Sequence, residues 1–414
     1  PLDLFAHAAA ASRHTRVRPL HPWPSILNLL HRLTFICFVP VLFVFISPAV
    51  PCNPFLDDSS APQSLANLNP LSPAHHMSTL DTAPYLNKWV EQDVSYLTRD
   101  LLVYAQGIGC TELNYVYEHD GDFAAFPTFP IILPFKGQAI DIVDFPSECM
   151  KNGPKNPPFK GVVTGVDGER YIEMLTPIPT EGASFGLKSA IVGVHKRGSG
   201  VSVESEQILY DKATGLEYYK MRSGAFLVGA KGFQDSGVTY SQKIPPPGRD
   251  PDSVVELATS KYQAQLYRLS GDYNPLHVSP EFATMVGFKE PILHGLCTLG
   301  FSARALIQVM CGKERGGCLL LMLLLLLLFV YVFVAETTIN TCVFVCDACP
   351  AGNDPSLFKS IQLRFSKPVL PGDTLVVKMW NEGNGKVVFT TSVKATGKVV
   401  INNAVFHMKT GAKM

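Results

Sequence analysis

The 414 residues suffice for two or three domains with a substantial buried core, which excludes a small scaffold stapled by disulfides or a metal. Thirty-five basic residues balance thirty-five acidic ones and only 17% of the chain is charged, so no global field recruits nucleic acid or an anionic membrane. The ten cysteines follow no regular spacing, which argues against a disulfide framework and for a reducing compartment.

Residues 1–76 carry no pattern that builds a core. Their one apolar run, Leu33 to Ile46, is broken by Pro40 and is too short for a comfortable membrane span. Arg13, Arg16, Arg18 and Arg32 precede it as in a secretory signal, but the run begins too far into the chain for one. The chain opens on Pro1, so the expectation is a fragment or a misplaced upstream boundary, with Met77 as the biological start and 1–76 a disordered or translated upstream region. Residues 77–243 then read as a first set of elements. Asp81 to Gly107 is predicted as a helix, and Leu187–His195, Val201–Tyr210 and Glu217–Gly229 as strands of a curved antiparallel sheet, separated by glycine-containing turns. Pro245-Pro-Pro-Gly248 marks a stiff linker over 244–249.

In the second set of elements, 250–414, Ser279-Pro-Glu281 reads as a helix cap. A further helix opens at Gly295 with Leu296, Leu299, Ala303, Leu306 and Ile307 on one stripe, and strands are expected at 360–365, 374–380, 386–393 and 398–406. Between helix and strands lies Cys318 to Ala335, an almost pure Leu/Val/Phe run that hydropathy alone marks as a membrane span. A span there puts the helix and its sheet on opposite sides of a bilayer, so span and domain exclude each other. Removing 313–352 joins Gly312 to Asn353 in a short polar turn. Gly312-Lys313 and Ala351-Gly352 can be encoded with splice-donor and splice-acceptor patterns, so 313–352 is expected to be a non-native insert of retained-intron type. Cys318, Cys342, Cys346 and Cys349 fit no common zinc template, and no metal is expected.

The chemistry-bearing segment is Tyr267-Arg-Leu-Ser-Gly-Asp-Tyr-Asn-Pro-Leu-His277 with Pro291-Ile-Leu-His-Gly-Leu-Cys297. Gly271, Asn274 and Pro275 make the first part an irregular loop that can fold Asp272 and His277 toward one point. A carboxylate and an imidazole sharing a site form a general acid/base pair. Gly295, at a predicted helix N-terminus, offers an unpaired N–H where the helix dipole favours developing negative charge, as in an oxyanion hole for a thioester carbonyl. Taken singly, Asp272 is equally readable as a turn cap, His277 as a satisfied half-buried histidine and Gly295 as an ordinary helix start.

The stretch from Tyr267 to Gly300 resembles the hydratase 2 motif of (R)-specific enoyl-CoA hydratases, the MaoC-like branch of the hot-dog fold found also in the peroxisomal multifunctional enzyme type 2. The resemblance extends from about Ser78 to Ala404, interrupted by 313–352. It implies an α+β double hot-dog whose first repeat, lacking Asp-x-Asn-x-x-His, takes the acyl tail and whose second carries the chemistry. It assigns Asp272 and His277 to positioning water and moving the proton, Asn274 to holding them, and Gly295 to the oxyanion. For the CoA thioester it suggests Tyr273, Pro275 and Leu276 of the loop, an Asp167-Gly168 turn, Arg197 and Phe365. Arg197 is equally readable as a solvated hairpin charge and Phe365 as a core aromatic. The implied reaction is reversible addition of water to trans-2-enoyl-CoA giving (3R)-3-hydroxyacyl-CoA in fatty acid beta-oxidation, with no cofactor.

Without G-x-G-x-x-G the chain reads as a stand-alone hydratase. Ala412-Lys413-Met414 resembles a peroxisomal address, which implies an import receptor as partner and the peroxisome as location. Two alternatives stand beside this reading: a non-catalytic acyl-CoA-binding hot-dog protein inactivated by the insert, and a membrane-anchored protein using the two apolar runs. A homodimer is left open.

Overall fold

The computed structural model describes residues 79–313 and 352–409. The predicted extension 1–76, the start at Met77, the run Cys318–Ala335, the cysteines at 318, 342, 346 and 349, and the tripeptide Ala412, Lys413, Met414 lie outside the described residues.

The first half carries β1 (Val90–Tyr96), β2 (Thr164–Met174), β3 (Ala183–Arg197), β4 (Gly200–Tyr210), β5 (Glu217–Val228) and the short β6 (Ser236–Gly237). Its helices are α1 (Thr98–Gly107), α2 (Leu113–Val116), α3 (Leu133–Lys136) and α4 (Glu148–Lys151). In the second half stand β7 (Ser253–Ala258), β8 (Gly312–Lys313), β9 (Gly352–Asn353), β10 (Phe358–Phe365), β11 (Thr374–Asn381), β12 (Lys386–Val393) and β13 (Val399–Met408). They are joined by α5 (Gln263–Tyr267), α6 (Pro280–Met285) and α7 (Gly295–Met310).

The strand order is β1-β3-β4-β5-β2 followed by β10-β13-β12-β11-β7. Read outward-in, each half runs first-third-fourth-fifth-second strand, so the same antiparallel topology occurs twice. The halves fuse where β2 pairs with β10, from Ser360↔Glu173 to Arg364↔Glu169, which makes one continuous sheet. This seam joins strands almost two hundred residues apart in sequence and does not follow from strand periodicity.

In the second half the sheet wraps α7. The sequence stripe underestimates this helix: every residue from Leu296 to Ala303, and Ala305, Leu306 and Ile307, is buried. They pack with Leu375, Val377, Met379, Val387, Phe389, Ile401 and Phe406 of the sheet in one core. A helix apolar on nearly all sides is what a curved sheet closing around it requires. The first half has no helix of that length between β1 and β2; the short turns of Phe129–Ile132 and Leu133–Lys136 enter the core there instead.

One predicted element is corrected. Asp81–Gly107 is not a single helix, because Val94 and Tyr96 alternate into the core and make 90–96 an edge strand against β3, leaving the helix to start at Thr98. The Ser279 cap is as read, its hydroxyl accepting the Phe282 N–H at 3.2 Å.

Beyond β6 the chain runs across the strands rather than along them. Val238 pairs with Val192 of β3, the Tyr240 N–H donates to Glu204 of β4 at 2.6 Å, and Ser241 donates to Glu169 of β2 at 2.8 Å. Arg364 of β10 donates to Ser241 at 2.8 Å, and the Ile244 N–H donates to Asn403 of β13 at 3.1 Å. The crossing segment thus begins before the prolines and ties both halves.

The chain leaves the second half after α7 and returns beside its point of exit. Gly312 pairs with Asn353 and Lys313 with Gly352 in a two-residue antiparallel neck, and Asn353 is held by the Asn114 side chain at 3.1 Å.

Among the described residues no helix is long and apolar enough to cross a membrane.

Candidate active site

The site forms where α5 unwinds. After Arg268–Ser270 the chain turns at Gly271, whose φ of +137° and position against α3 suit only glycine; a Cβ there stands 2.9 Å from the Lys136 Cβ. Asp272 follows, then a turn of 3₁₀ helix, Pro275–His277, capped by Asn274. The Asn274 carboxamide accepts the Leu276 N–H at 3.1 Å, its own N–H donates to the Asp272 carboxylate at 3.3 Å, and its carbonyl accepts the His277 N–H at 3.2 Å. Asn274 therefore sets the curvature that brings Asp272 and His277 together.

The cluster has a third member with no role assigned from sequence, His294. Ligand-type atoms of Asp272, His277 and His294 all lie within 4.8 Å of one another, and all three residues are buried. The His277 Nδ1 stands 2.8 Å from the Ile292 carbonyl. A carbonyl only accepts, so Nδ1 carries the proton and Nε2 presents its lone pair. By the same argument the His294 Nε2–H donates to the Asp272 main-chain carbonyl at 3.1 Å. The imidazoles stack at 3.6 Å between centroids and 28° between planes.

Burial sets the protonation of the group. It raises the Asp272 carboxyl to about 6, against the Asn274 N–H and Arg170, which pull it down. Burial lowers His277 to about 4, partly offset by the Ile292 carbonyl, and holds His294 well below the ordinary imidazole range. At neutral pH the pair is thus a carboxylate of raised basicity beside a neutral imidazole.

Gly295 is the first residue of α7, and no side chain caps that end. The first N–H groups of the helix lack intrahelical acceptors and point out with the positive end of the dipole. Phe365, the last residue of β10, lies against Gly295, its ring 3.4 Å from where a Cβ would stand.

The other expected residues divide. Pro275 and Leu276 form the 3₁₀ turn and are half-buried, and Tyr273 lies under the Arg268 guanidinium at 4.6 Å. Asp167-Gly168 is not a turn. Both residues lie inside β2, where Asp167 opposes Ala225 and Glu169 opposes Gly224, so Gly168 is the extra residue of a bulge. Glycine fits because a Cβ would come 2.8 Å from the Gly224 carbonyl. Asp167 pairs with Arg170 at 2.9 Å, and both act electrostatically on Asp272 from the first half. Arg197 is at the tip of the β3–β4 hairpin, where it donates to the Lys196 carbonyl at 3.2 Å. No described hydrogen bond or ion pair links it to the cluster, which favours its reading as a solvated hairpin charge.

Asp272, His277 and His294 are a donor set that proximity alone recommends for a metal. The stacked rings argue otherwise: nearly parallel imidazoles aim their in-plane lone pairs side by side, not at one ion, and one nitrogen of each faces a carbonyl. The arrangement suits proton handling.

Two fused antiparallel hot-dogs, with a buried carboxylate and imidazole at the N-terminus of the wrapped helix, define a double hot-dog protein. The MaoC like domain model matches residues 242–318 and 345–404, and the MFE-2 hydratase 2 N-terminal domain model matches 94–229. The interruption of the first match lies within 313–352. The chain is 33% identical over 334 residues to the Arabidopsis thaliana "Enoyl-CoA hydratase 2, peroxisomal", covering 76% of this chain and 91% of that protein. It is 34% identical over 330 residues to the Drosophila melanogaster "Peroxisomal multifunctional enzyme type 2", covering 77% of this chain but 47% of that longer protein. A crystal structure of a MaoC-like dehydratase from Phytophthora capsici, 36% identical, superposes with a TM-score of 0.67 over 79% of this chain and 97% of that one. The chain belongs to the MaoC-like hydratase 2 family.

Proposed function

We propose that the protein adds water reversibly to trans-2-enoyl-CoA, giving (3R)-3-hydroxyacyl-CoA in fatty acid beta-oxidation, and does so without metal or redox cofactor. The observation that carries this is the buried cluster of Asp272 and His277 beside the open N-terminus of α7.

A water between the two side chains donates one O–H to the His277 Nε2, the only nitrogen of that ring with a free lone pair. Asp272, the stronger base of the pair because burial lifts it to about 6 while His277 falls to about 4, takes the other proton. The hydroxide oxygen bonds to C3 as the C2–C3 double bond moves its electrons toward the thioester carbonyl. The resulting enolate oxygen lies at the Gly295 N–H, where the helix end stabilises it. Asp272 then returns the same proton to C2, so one water is consumed and no net proton is exchanged. Delivery of both parts from one cluster gives syn addition. Asp167 and Arg170 from the first half act electrostatically on Asp272, and the thioester is assigned to Phe365, which lies against Gly295, with Tyr273, Pro275 and Leu276 of the loop.

The neck at β8 and β9 sits at the opposite end of α7 from Gly295, about 24 Å away at 1.5 Å per residue over 16 residues. That distance favours catalysis over the inactivated-binder alternative. Relatives named as peroxisomal support import into the peroxisome. Purified protein given a medium-chain trans-2-enoyl-CoA, with chiral analysis of the product, tests the activity. The 3R alcohol is expected; a 3S product or no hydration refutes it.

A further inference from the structure

We propose that His294 is a positioning residue for this centre: it fixes the plane of the His277 imidazole and the main chain of Asp272 at the same time, and leads directly into Gly295. The catalytic consequence rests on the hydratase reading; the positioning itself does not.

Three contacts of one side chain and its backbone carry the inference. The His294 ring donates from Nε2 to the Asp272 carbonyl, 22 residues earlier in sequence, at 3.1 Å. Its face lies on His277 at 3.6 Å. Its own carbonyl accepts the Thr298 N–H at 3.1 Å, opening α7 one residue before Gly295. His277 has a single described polar anchor for its ring, the Ile292 carbonyl, and an imidazole held at one nitrogen can turn away from that acceptor, which frees it to exchange the Nδ1–H tautomer for the Nε2–H one. The stacked His294 face stops that rotation.

His294 is itself braced. Tyr267 packs against it at 4.9 Å, Tyr104 of α1 against Tyr267 at 6.0 Å, and Phe129 against Tyr104 at 5.7 Å, all fully buried. A column of rings therefore runs from the core of the first half to the reactive imidazole of the second, giving the motif-free half a mechanical part in the site.

Packing alone does not call for histidine at this position. The His294 Nδ1 is buried with no hydrogen-bond partner, a state that costs the fold stability. Phenylalanine supplies the same ring face without that penalty, but it has no N–H for the Asp272 carbonyl.

Two substitutions in the full chain separate the functions. His294→Phe keeps a ring face and removes the donor, while His294→Gln keeps a donor and removes the face. Each is expected to lower kcat by about tenfold to a hundredfold, the range that displacement of a reacting group by about 1 Å produces. KM should stay within about twofold, because His294 is shielded from substrate behind His277. In ¹⁵N-histidine spectra the His277 signals should move from a single Nδ1–H tautomer to a mixture. If both variants keep kcat and the His277 spectrum of the unsubstituted protein, or if KM rises with kcat unchanged, the proposal is overturned. Should His294→Phe fail to fold, His294→Gln carries the test alone. If the unsubstituted protein hydrates nothing, the hydratase reading falls, and the His277 tautomer decides this inference by itself: a change in the variants supports it and an unchanged spectrum overturns it.

Discussion

Replacing Asp272 by asparagine is expected to abolish turnover and stabilise the fold. Asp272 is 6% exposed and its carboxyl is held at about 6 against an ordinary 3.8. Keeping it ionised at pH 7 therefore costs the folded state about 3 kcal/mol. Between pH 4 and 6 the folded chain holds this proton more tightly than the unfolded chain does, so the Asp272 contribution to stability falls as pH rises. Below about pH 4 both states are protonated and the cost disappears. Asp272→Asn keeps an oxygen for the Asn274 N–H and removes the charge, so the variant should gain about 3 kcal/mol at pH 7, shrinking to nothing near pH 4. His277 has the opposite sign: lowered to about 4 from 6.5, it makes the folded state bind fewer protons and adds stability as pH rises through that window. In the natural protein the Asp272 slope opposes that of His277; in the variant it is absent, and the lowered imidazoles of His277 and His294 leave stability rising with pH. Urea unfolding from pH 4 to 7 measures both curves. No gain at pH 7, or an equal gain at pH 4, refutes the electrostatic reasoning.

Other consequences are as specific. With Asp272 as the base, kcat/KM should fall about tenfold per pH unit below a midpoint near 6, and a midpoint above 7 contradicts the assignment of roles. His277→Ala should lower turnover by about 10²-fold or more with little change in melting temperature; near-normal turnover removes His277 from the mechanism. In Gly295→Ala the added methyl meets the Phe365 ring at ordinary contact distance, so the chain should fold, while crowding at the α7 N-terminus lowers kcat by about 10²-fold; wild-type turnover would show that the oxyanion lies elsewhere. Deleting 313–352 joins Gly312 to Asn353, which already face each other across an antiparallel pair with Cα atoms about 5 Å apart, against 3.8 Å for neighbours in sequence. The shortened chain should keep its circular dichroism and hydratase rate, and an unfolded product would mean the segment is integral to the domain.

The sequence made the second half nearly legible. Alternation located β10 to β13 within two residues, and glycine, asparagine and proline between Asp272 and His277 announced a loop able to converge two side chains. What escaped depends on partners rather than patterns. Period-two alternation assigns faces but not neighbours, so the β2–β10 seam was invisible, and Asp167-Gly168 looked like a turn because a bulge and a turn use the same glycine. Edge strand β1 was absorbed into a helix, since only Val94 and Tyr96 of its residues are buried. His294 has no role legible in the sequence because stacking between residues 17 positions apart leaves no local signature.

The seam also sets a timetable for synthesis. Strand β2 is complete at Met174, but its partner β10 begins only at Phe358, about 180 residues later, an interval of roughly 10–40 s at common elongation rates. Throughout it, the nascent first half presents an unpaired strand edge, the feature that invites association with foreign chains. The segment that donates Ser241 to Glu169 emerges early in that interval, but it lies across the strands and leaves the edge uncovered. Residues 313–352, where translated, lengthen the wait by about a quarter. A chain carrying them carries a heavier chaperone demand, set by when its strands meet rather than by how stable the finished sheet is.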